Sequence, residues 1–275
     1  MSDRYAVIGH PVAHSKSPRI HAAFAAATGQ DLRYEALLAP LDGFAESWRR
    51  FVAEGGRGAN VTVPFKEEAW ALCDVRSPRA ELAGAVNTLM PGKDGRLFGD
   101  NTDGIGLVRD LRDNAGWTLA GARVLLLGAG GASRGVILPL LEAGVASITI
   151  ANRTASKAAD LAALFAAHGD VKGVGLADLS STGTFDLLIN ATSASLLGEA
   201  LALPASLHHA DTAVYDMMYG RDTPFLRWAA DAGLVRRRDG LGMLVEQAAE
   251  AFFLWRQVRP ETASLLAALR AELSS

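Results

Sequence analysis

Arg123-Val124-Leu125-Leu126-Leu127-Gly128-Ala129-Gly130-Gly131-Ala132 runs from a continuous apolar segment straight into a glycine-rich turn. An unbroken apolar run of this kind suits a strand buried on both faces. A helix is expected over Ala132–Ala143 and a second strand over Ser147–Ala151, which places the glycines inside a βαβ unit. That context gives a glycine pattern its meaning as a dinucleotide fingerprint. Gly128 permits a tight turn, Gly130 lets the backbone approach a pyrophosphate, and the helix N-terminus offers free N–H groups to its charge. Ser133 stands in the third glycine position, so the strict spacing is relaxed. The plain alternative is a glycine-rich βα loop with no ligand.

The end of the second strand narrows the cofactor. Enzymes that use NAD place Asp or Glu there to hold the ribose 2′-hydroxyl. This chain has Asn152-Arg153-Thr154, with Lys157 one helical turn beyond. A carboxylate would repel a 2′-phosphate, whereas Arg and Lys attract one, so NADP is the expected cofactor. Read blandly, Thr154 is an N-cap and the two cations are solvated. A rival motif also lies here: Gly131-Ala132-Ser133-Arg134-Gly135 matches the nucleophile elbow G-x-S-x-G. An elbow serine follows its strand directly. Here Gly128-Ala129-Gly130 intervenes, which puts Ser133 inside the first helical turn.

Outward from this segment, strand and helix patterns alternate, which predicts an α/β fold with a largely parallel sheet. Tyr5–Gly9 reads as a strand, Ser17-Pro18 as a helix start with Ser17 the N-cap, Arg33–Leu38 as a strand and Gly43–Glu54 as a helix. Ala59–Val63 is a third strand, and Asn87–Met90 with Arg96–Phe98 a hairpin. Asp103–Asn114 reads as a helix, Asp186–Asn190 and Ala213–Asp216 as further strands, and Leu241–Val258 and Glu261–Leu273 as closing helices. The boundary is placed near Asn101–Gly104. Residues 1–103 then form an N-terminal α/β substrate-binding and catalytic domain, and 104–240 a Rossmann-type dinucleotide-binding domain. The helices of 241–275 are expected to return to the first domain.

The 275 residues are 49% hydrophobic and 21% charged, enough apolar material for full cores. The formal net charge of −3 excludes a general polyanion-binding role and gives no reason to expect nucleic acid. Cys73 is the single cysteine and no His-x-x-x-His pair occurs, so neither a disulfide nor a metal site is expected. No signal-peptide pattern or membrane-length apolar run appears, which predicts a cytoplasmic protein, monomer or homodimer, without a membrane partner.

Four polar segments of the first domain follow predicted strand ends: His14–Pro18, Asn60–Lys66, Gly84–Thr88 and Asp100–Gly104. Ligands of open α/β sheets bind at the carboxyl ends of strands. Hydroxyls, amides, one ammonium and one carboxylate suit a small molecule bearing several hydroxyls and a carboxylate. Taken with the glycine turn, these segments resemble the shikimate dehydrogenase family from about Tyr5 to Gln247. The motifs that carry the resemblance are HSKSP, NVTVPFK, GAVNTL, DNTDGIG, GAGGASRG, NRT, NATS, YDMMY and GMLVEQA, in that order.

The resemblance implies reduction of 3-dehydroshikimate to shikimate by NADPH, on the route to chorismate and the aromatic amino acids. It implies that Ser15 and Ser17 hold the substrate carboxylate. Thr62, Asn87, Asp103 and Gln247 would then surround the ring, with Asn60 and Tyr219 counted among the binding residues. Lys66 and Asp103 would be the catalytic pair, and Met217 and Gly240 would line the nicotinamide end. The chemistry agrees: hydride addition leaves an alkoxide, Lys66 can supply its proton, and a neighbouring carboxylate orients the ammonium. Each residue also has a local explanation: a helix start for Lys66, N-caps for Ser17 and Asp103, turn residues for Asn60 and Asn87. Tyr219 could be core, and Gln247 a polar helix-face position.

Two departures from the family pattern stand out. Ala194-Ser195-Leu196-Leu197 replaces a short residue followed by Gly-Met, and Lys157 stands where NADP-preferring members often carry Arg. A quinate/shikimate dehydrogenase using both NAD and NADP is the alternative within the family, and paired serines at 15 and 17 favour shikimate. A non-catalytic NADP-sensing module of the same fold is the alternative from another class. Such a sensor has no need for Lys66 and Asp103.

Overall fold

The computed structural model describes residues 2–192, 203–220 and 222–273. The chain divides into two compact units, one of Met1–Gly106 with Val245–Ser275 and one of Leu107–Leu244.

Along the first unit run β1 (Asp3–Gly9), α1 (Ser17–Thr28), β2 (Leu32–Leu38), α2 (Phe44–Ala53), β3 (Gly56–Val61) and α3 (Lys66–Leu72), then β4 (Val75–Arg76), α4 (Pro78–Ala83), β5 (Thr88–Pro91) and β6 (Leu97–Asp100). The strands form a mixed six-stranded sheet ordered β2-β1-β3-β5-β6-β4. β1 pairs in parallel with β2 and β3, while β5 runs antiparallel to both β3 and β6, so the expected hairpin is present. Helix α2 shows why it packs where it does. Phe44, Ser47, Trp48 and Phe51 fall at i, i+3, i+4 and i+7 and are all buried. With Ile8, Val61, Phe65 and Leu89, the three aromatic residues form this unit's core, and each fully buried phenylalanine contributes roughly 1.5–3 kcal/mol.

One expectation about α1 is corrected. Lys16 holds the N-cap position without a side-chain bond, and Ser17 is already helical with Pro18 behind it. Ser15, not Ser17, supplies the local hydroxyl, accepting from the Ser17 N–H at 3.2 Å.

Helix α5 (Asp103–Arg109) leads into the second unit. The helix expected to continue to Asn114 changes there to a π-helical turn over Asp110–Asn114. Asp110 is wholly buried in that turn, where it accepts from the Tyr215 hydroxyl at 2.8 Å and pairs with Arg238 at 2.8 Å. Then come β7 (Arg123–Leu127), α6 (Gly131–Glu142), β8 (Ser147–Asn152), α7 (Ala155–Phe165), β9 (Val171–Gly175), β10 (Leu187–Asn190), β11 (Ala213–Asp216), α8 (Pro224–Asp231) and β12 (Arg237–Asp239).

All pairings in this sheet are parallel and the order is β12-β11-β10-β7-β8-β9. Counted from its own first strand, this is the 3-2-1-4-5-6 order of a dinucleotide-binding fold, with the reversal between β7 and β10. The sheet core holds Leu125, Leu127, Leu188, Val214, Phe185 and Phe225.

Helices α9 (Leu241–Arg256) and α10 (Ala263–Leu273) close the chain, and from Val245 onward they belong to the first unit. There Trp255 stacks on Tyr5 with centroids 4.7 Å apart and donates to the Leu89 carbonyl at 3.1 Å. Glu250 pairs with Arg259 at 2.7 Å and with Arg79 at 3.4 Å. No helix among the described residues is long and apolar enough to cross a membrane.

Candidate functional site

The polar segments of the first unit converge on one carboxylate. Lys66 is the first residue of α3, and its main chain is tied down where its carbonyl accepts from the Val86 N–H at 2.9 Å. Its ammonium reaches Asp103 Oδ2 at 2.6 Å. The two side chains are 30% and 17% exposed, open enough for a ligand to meet them. Asp103 opens α5, and its N–H is held by Asn101 Oδ1 at 3.1 Å. Its second oxygen, Oδ1, accepts from Asn87 Nδ2 at 2.8 Å. Both carboxylate oxygens are therefore engaged, one by a cation and one by an amide.

Behind this pair lies a buried polar layer. Asn87 Oδ1 receives the Thr102 N–H at 2.9 Å and the Thr88 hydroxyl at 2.9 Å. Asn60 donates both amide hydrogens, to the Asn87 carbonyl and to Thr88 Oγ1, each at 3.1 Å. The Tyr34 hydroxyl donates to Asn60 Oδ1 at 2.7 Å. Burial pushes the Tyr34 phenol well above its ordinary value, and a hydrogen bond with Ser17 partly offsets that. Gln247, on α9, brings Oε1 to 3.5 Å from the Thr102 hydroxyl.

Lys66, Asp103, Asn60, Asn87 and Gln247 thus share one network, with Ser17 joined through Tyr34. Ser15 adjoins it through the Ser17 N–H, and half-buried Thr62 sets its methyl against Gly9 at the end of β1. The local explanations for Asn60 and Asn87 as plain turn residues fail: they are 5% and 2% exposed and bonded across segments.

Three members of this layer, Tyr34, Thr88 and Thr102, are absent from the sequence-derived set. Thr88 and Thr102 lie within the quoted motifs, so position could have flagged them. Tyr34 reads as an ordinary strand aromatic. Beneath it, His21 stacks flat on the Tyr34 ring at 4.1 Å and 3°. Burial pushes the His21 pKa down to about 3, partly offset by a hydrogen bond with Asn60.

In the second unit the site is made mostly of main chain. Gly128 has φ +103, which a side chain rarely adopts, and a Cβ there would come within 2.9 Å of the Thr192 methyl. Its N–H is bonded to the Ala151 carbonyl at 2.8 Å, which sets the turn beside the end of β8. Gly130 is the N-cap of α6 and supplies no side-chain cap. A Cβ at Gly130 or Gly131 would meet nothing within 4 Å, so the space above the turn is open to a ligand. In the same first helical turn, Arg134 Nε is buried without a hydrogen-bond partner among the described residues. Uncapped N–H groups, open space and the Arg134 Nε together fit an anionic pyrophosphate. Ser133 is fully buried and donates to the Gly128 carbonyl at 2.8 Å, so it braces the turn and is no exposed nucleophile.

Past the turn, Arg153 and Lys157 are exposed and have no carboxylate partner among the described residues. Thr154 holds the N-cap position of α7 but makes no side-chain cap bond, while Asn152 Nδ2 donates to the Thr154 carbonyl at 3.0 Å. Gly240 packs so closely on the Met217 main chain that any side chain would collide, and its N–H bonds the Met218 carbonyl at 2.9 Å. Tyr219 lies in this unit, not with the amide network, and burial pushes its phenol pKa up. Ala194-Ser195-Leu196-Leu197 falls outside the described residues. Among those described, no group of three or more His, Cys, Asp or Glu side chains could hold a metal.

Three family models match along the chain. They are the shikimate dehydrogenase substrate binding domain over 7–89, shikimate/quinate 5-dehydrogenase over 110–199, and the shikimate 5′-dehydrogenase C-terminal domain over 240–270. The chain belongs to the shikimate dehydrogenase family. Among its relatives is shikimate dehydrogenase (NADP(+)) of Hahella chejuensis, 59% identical with 98% of each chain covered. Another is the enzyme of the same name from Dechloromonas aromatica, 60% identical with 99% of each covered. Of solved structures, shikimate 5-dehydrogenase from Thermus thermophilus in complex with NADP(H) and shikimate matches with a TM-score of 0.85 and 39% identity, covering 98% of this chain and 99% of that one. The first unit presents the Lys66–Asp103 pair among buried amides and hydroxyls, and the second the glycine turn ahead of α6.

Proposed function

We infer that this chain is an NADP-dependent shikimate dehydrogenase, an oxidoreductase acting on a CH–OH group, that interconverts 3-dehydroshikimate and shikimate. The observation that carries this reading is the Lys66–Asp103 pair at 2.6 Å, backed by Asn87 and open to a ligand. NADPH supplies the hydride when bound. Lys66 Nζ donates a proton to the oxygen of the reduced carbonyl and recovers it from the hydroxyl in the reverse direction. Asp103 holds that ammonium in place and accepts from a ring hydroxyl. Ser15 and Ser17 take the substrate carboxylate through hydroxyl donors, and Thr62, Asn87 and Gln247 the remaining hydroxyls. The family resemblance assigns Tyr219 to substrate binding and Met217 with Gly240 to the nicotinamide end.

Gly128–Ala132 would hold the pyrophosphate of the dinucleotide, and Arg153 with Lys157 would receive its 2′-phosphate. A non-catalytic sensor has no use for an acid–base pair, and relatives about 60% identical over nearly full length bear the name shikimate dehydrogenase (NADP(+)). A cytoplasmic location is consistent with a biosynthetic reduction of this kind. The deciding measurement follows NADPH absorbance with 3-dehydroshikimate, beside NADH and, in reverse, shikimate and quinate. Turnover of 3-dehydroshikimate with NADPH, and of shikimate with NADP+ in reverse, is expected; absence of turnover with both cofactors overturns the reading.

A further inference from the structure

The catalytic carboxylate sits at the end of a hydrogen-bond chain whose direction is fixed by two main-chain groups. The oxygen and nitrogen of an asparagine amide are easily exchanged unless a neighbour of fixed polarity decides between them. Here two such neighbours exist. The Asn87 carbonyl can only accept, and it faces Asn60 Nδ2 at 3.1 Å. The Thr102 N–H can only donate, and it faces Asn87 Oδ1 at 2.9 Å.

Every other link follows from these two. Asn60 Oδ1 must face Tyr34, whose hydroxyl must therefore donate, at 2.7 Å. The second Asn60 amide hydrogen goes to Thr88 Oγ1 at 3.1 Å, so the single Thr88 proton has to leave in the other direction. It goes to Asn87 Oδ1 at 2.9 Å, nearer than the Thr102 hydroxyl at 3.4 Å, which itself donates to Asn87 Oδ1 at 3.1 Å. Asn87 Nδ2 is then turned toward Asp103 Oδ1 at 2.8 Å, leaving Oδ2 for Lys66 at 2.6 Å.

We propose that Tyr34, Asn60 and Thr88 are positioning residues for the proton-transfer pair, holding the Asp103 carboxylate in the one orientation that presents Oδ2 to Lys66. The chain rests on the reading of Lys66 and Asp103 as the catalytic pair, and it assigns Asn60 to orientation, because both its amide hydrogens are spent within the protein. Thr88 is the decisive link. Its hydroxyl accepts from one amide and donates to the other, which valine, of nearly the same shape, can do for neither. Tyr34 stands upstream of Asn60 in this chain. Its ring is held independently by the stack on His21, so loss of the hydroxyl alone leaves the packing in place.

The test measures shikimate oxidation at saturating substrates for Thr88→Val, Thr88→Ser, Tyr34→Phe and the double variant Thr88→Val/Tyr34→Phe, with melting temperatures. A displaced reacting group can cost about 10- to 100-fold in rate, which is the fall in kcat expected for Thr88→Val. Tyr34→Phe, losing the bonds to Asn60 Oδ1 and to Ser17, should fall about fivefold. KM for NADP+ should not move, and Thr88→Ser should recover to within about twofold of the parent, since it restores both bonds. The double variant should be no slower than Thr88→Val alone, because links in one chain are not additive.

Parent-like kcat in both Thr88→Val and Tyr34→Phe overturns the chain. Failure of Thr88→Ser to recover, or full additivity in the double variant, also overturns it. Lys66→Ala is measured alongside. If Lys66→Ala collapses while the chain variants stay fast, the chain is wrong and the catalytic pair stands. An active Lys66→Ala overturns the pair and the chain with it.

Discussion

In the first unit the groups proposed to act are side chains that hold one another: Asp103 is bound by Lys66 and Asn87, Asn87 by Thr88 and Thr102, and Asn60 by Tyr34. In the second unit they are main-chain N–H groups at Gly128–Ala132 and two exposed cations, Arg153 and Lys157, without carboxylate partners among the described residues. The difference matches what each side must recognise. A small polyhydroxylated ring has to be told from near copies, which demands fixed donors and acceptors whose loss leaves buried groups unpaired. A pyrophosphate is recognised by charge and shape, so a turn of correct geometry suffices. Damage should therefore spread between neighbours on the substrate side and stay local on the cofactor side.

The sharpest test of this contrast is Lys66→Ala. Removing the proton donor should lower kcat by roughly 10²- to 10⁴-fold while shikimate still binds, as read by steady-state rates and by calorimetric titration of the ligand. An unchanged kcat would take Lys66 out of the chemistry. Gly128→Val comes next. Forcing a branched side chain to φ +103 against Thr192 should cost about 1–3 kcal/mol, read as a lowered unfolding midpoint together with weaker NADP+ binding. A stable variant that binds NADP+ normally would mean the turn tolerates what its geometry forbids.

Arg153→Ala should raise KM for NADP+ about tenfold, as expected for loss of one charged hydrogen bond, while KM for NAD+ stays put. Equal changes for both cofactors would place the 2′-phosphate elsewhere. The smallest effect concerns His21. Its folded pKa of about 3 lies below the ordinary 6.5, so between those values the unfolded chain binds a proton that the fold excludes. Stability should hold above pH 6.5 and fall as the pH drops below it, by at most about 1.4 kcal/mol per unit. His21→Phe, which keeps a ring against Tyr34, should flatten that slope in urea unfolding at about pH 6 and about pH 5. An equal slope in the variant would assign the acid sensitivity to other groups.

The dinucleotide side is legible from sequence because its signals are local. An apolar run, a glycine turn and a helix start lie within one short stretch, and the missing acid at Asn152-Arg153 is a matter of counting. Short polar strands escape such a reading: Arg237-Arg238-Asp239 has no apolar residue to betray β12. Ser17 looks like a cap because Ser-Pro is an ordinary helix opening. Nothing local reveals that Lys16 takes the cap position and that Ser15 meets the Ser17 N–H. On the substrate side, Lys66 and Asp103 are 37 residues apart, and in the sequence only the family resemblance joins them. Tyr34 stays hidden for a similar reason: its hydroxyl is defined by Asn60, 26 positions on, not by its neighbours in β2.

The exposure of Arg153 and Lys157 has a consequence for cofactor choice in solution. Charges that stand in water are screened over about 8 Å at physiological ionic strength and over about 3 Å in molar salt. A 2′-phosphate held only by such cations is gripped less firmly as salt rises, whereas the part-buried Lys66–Asp103 pair is screened much less. The preference for the phosphorylated dinucleotide is thus a variable set partly by the medium, greatest in dilute buffer and narrowing as ionic strength rises.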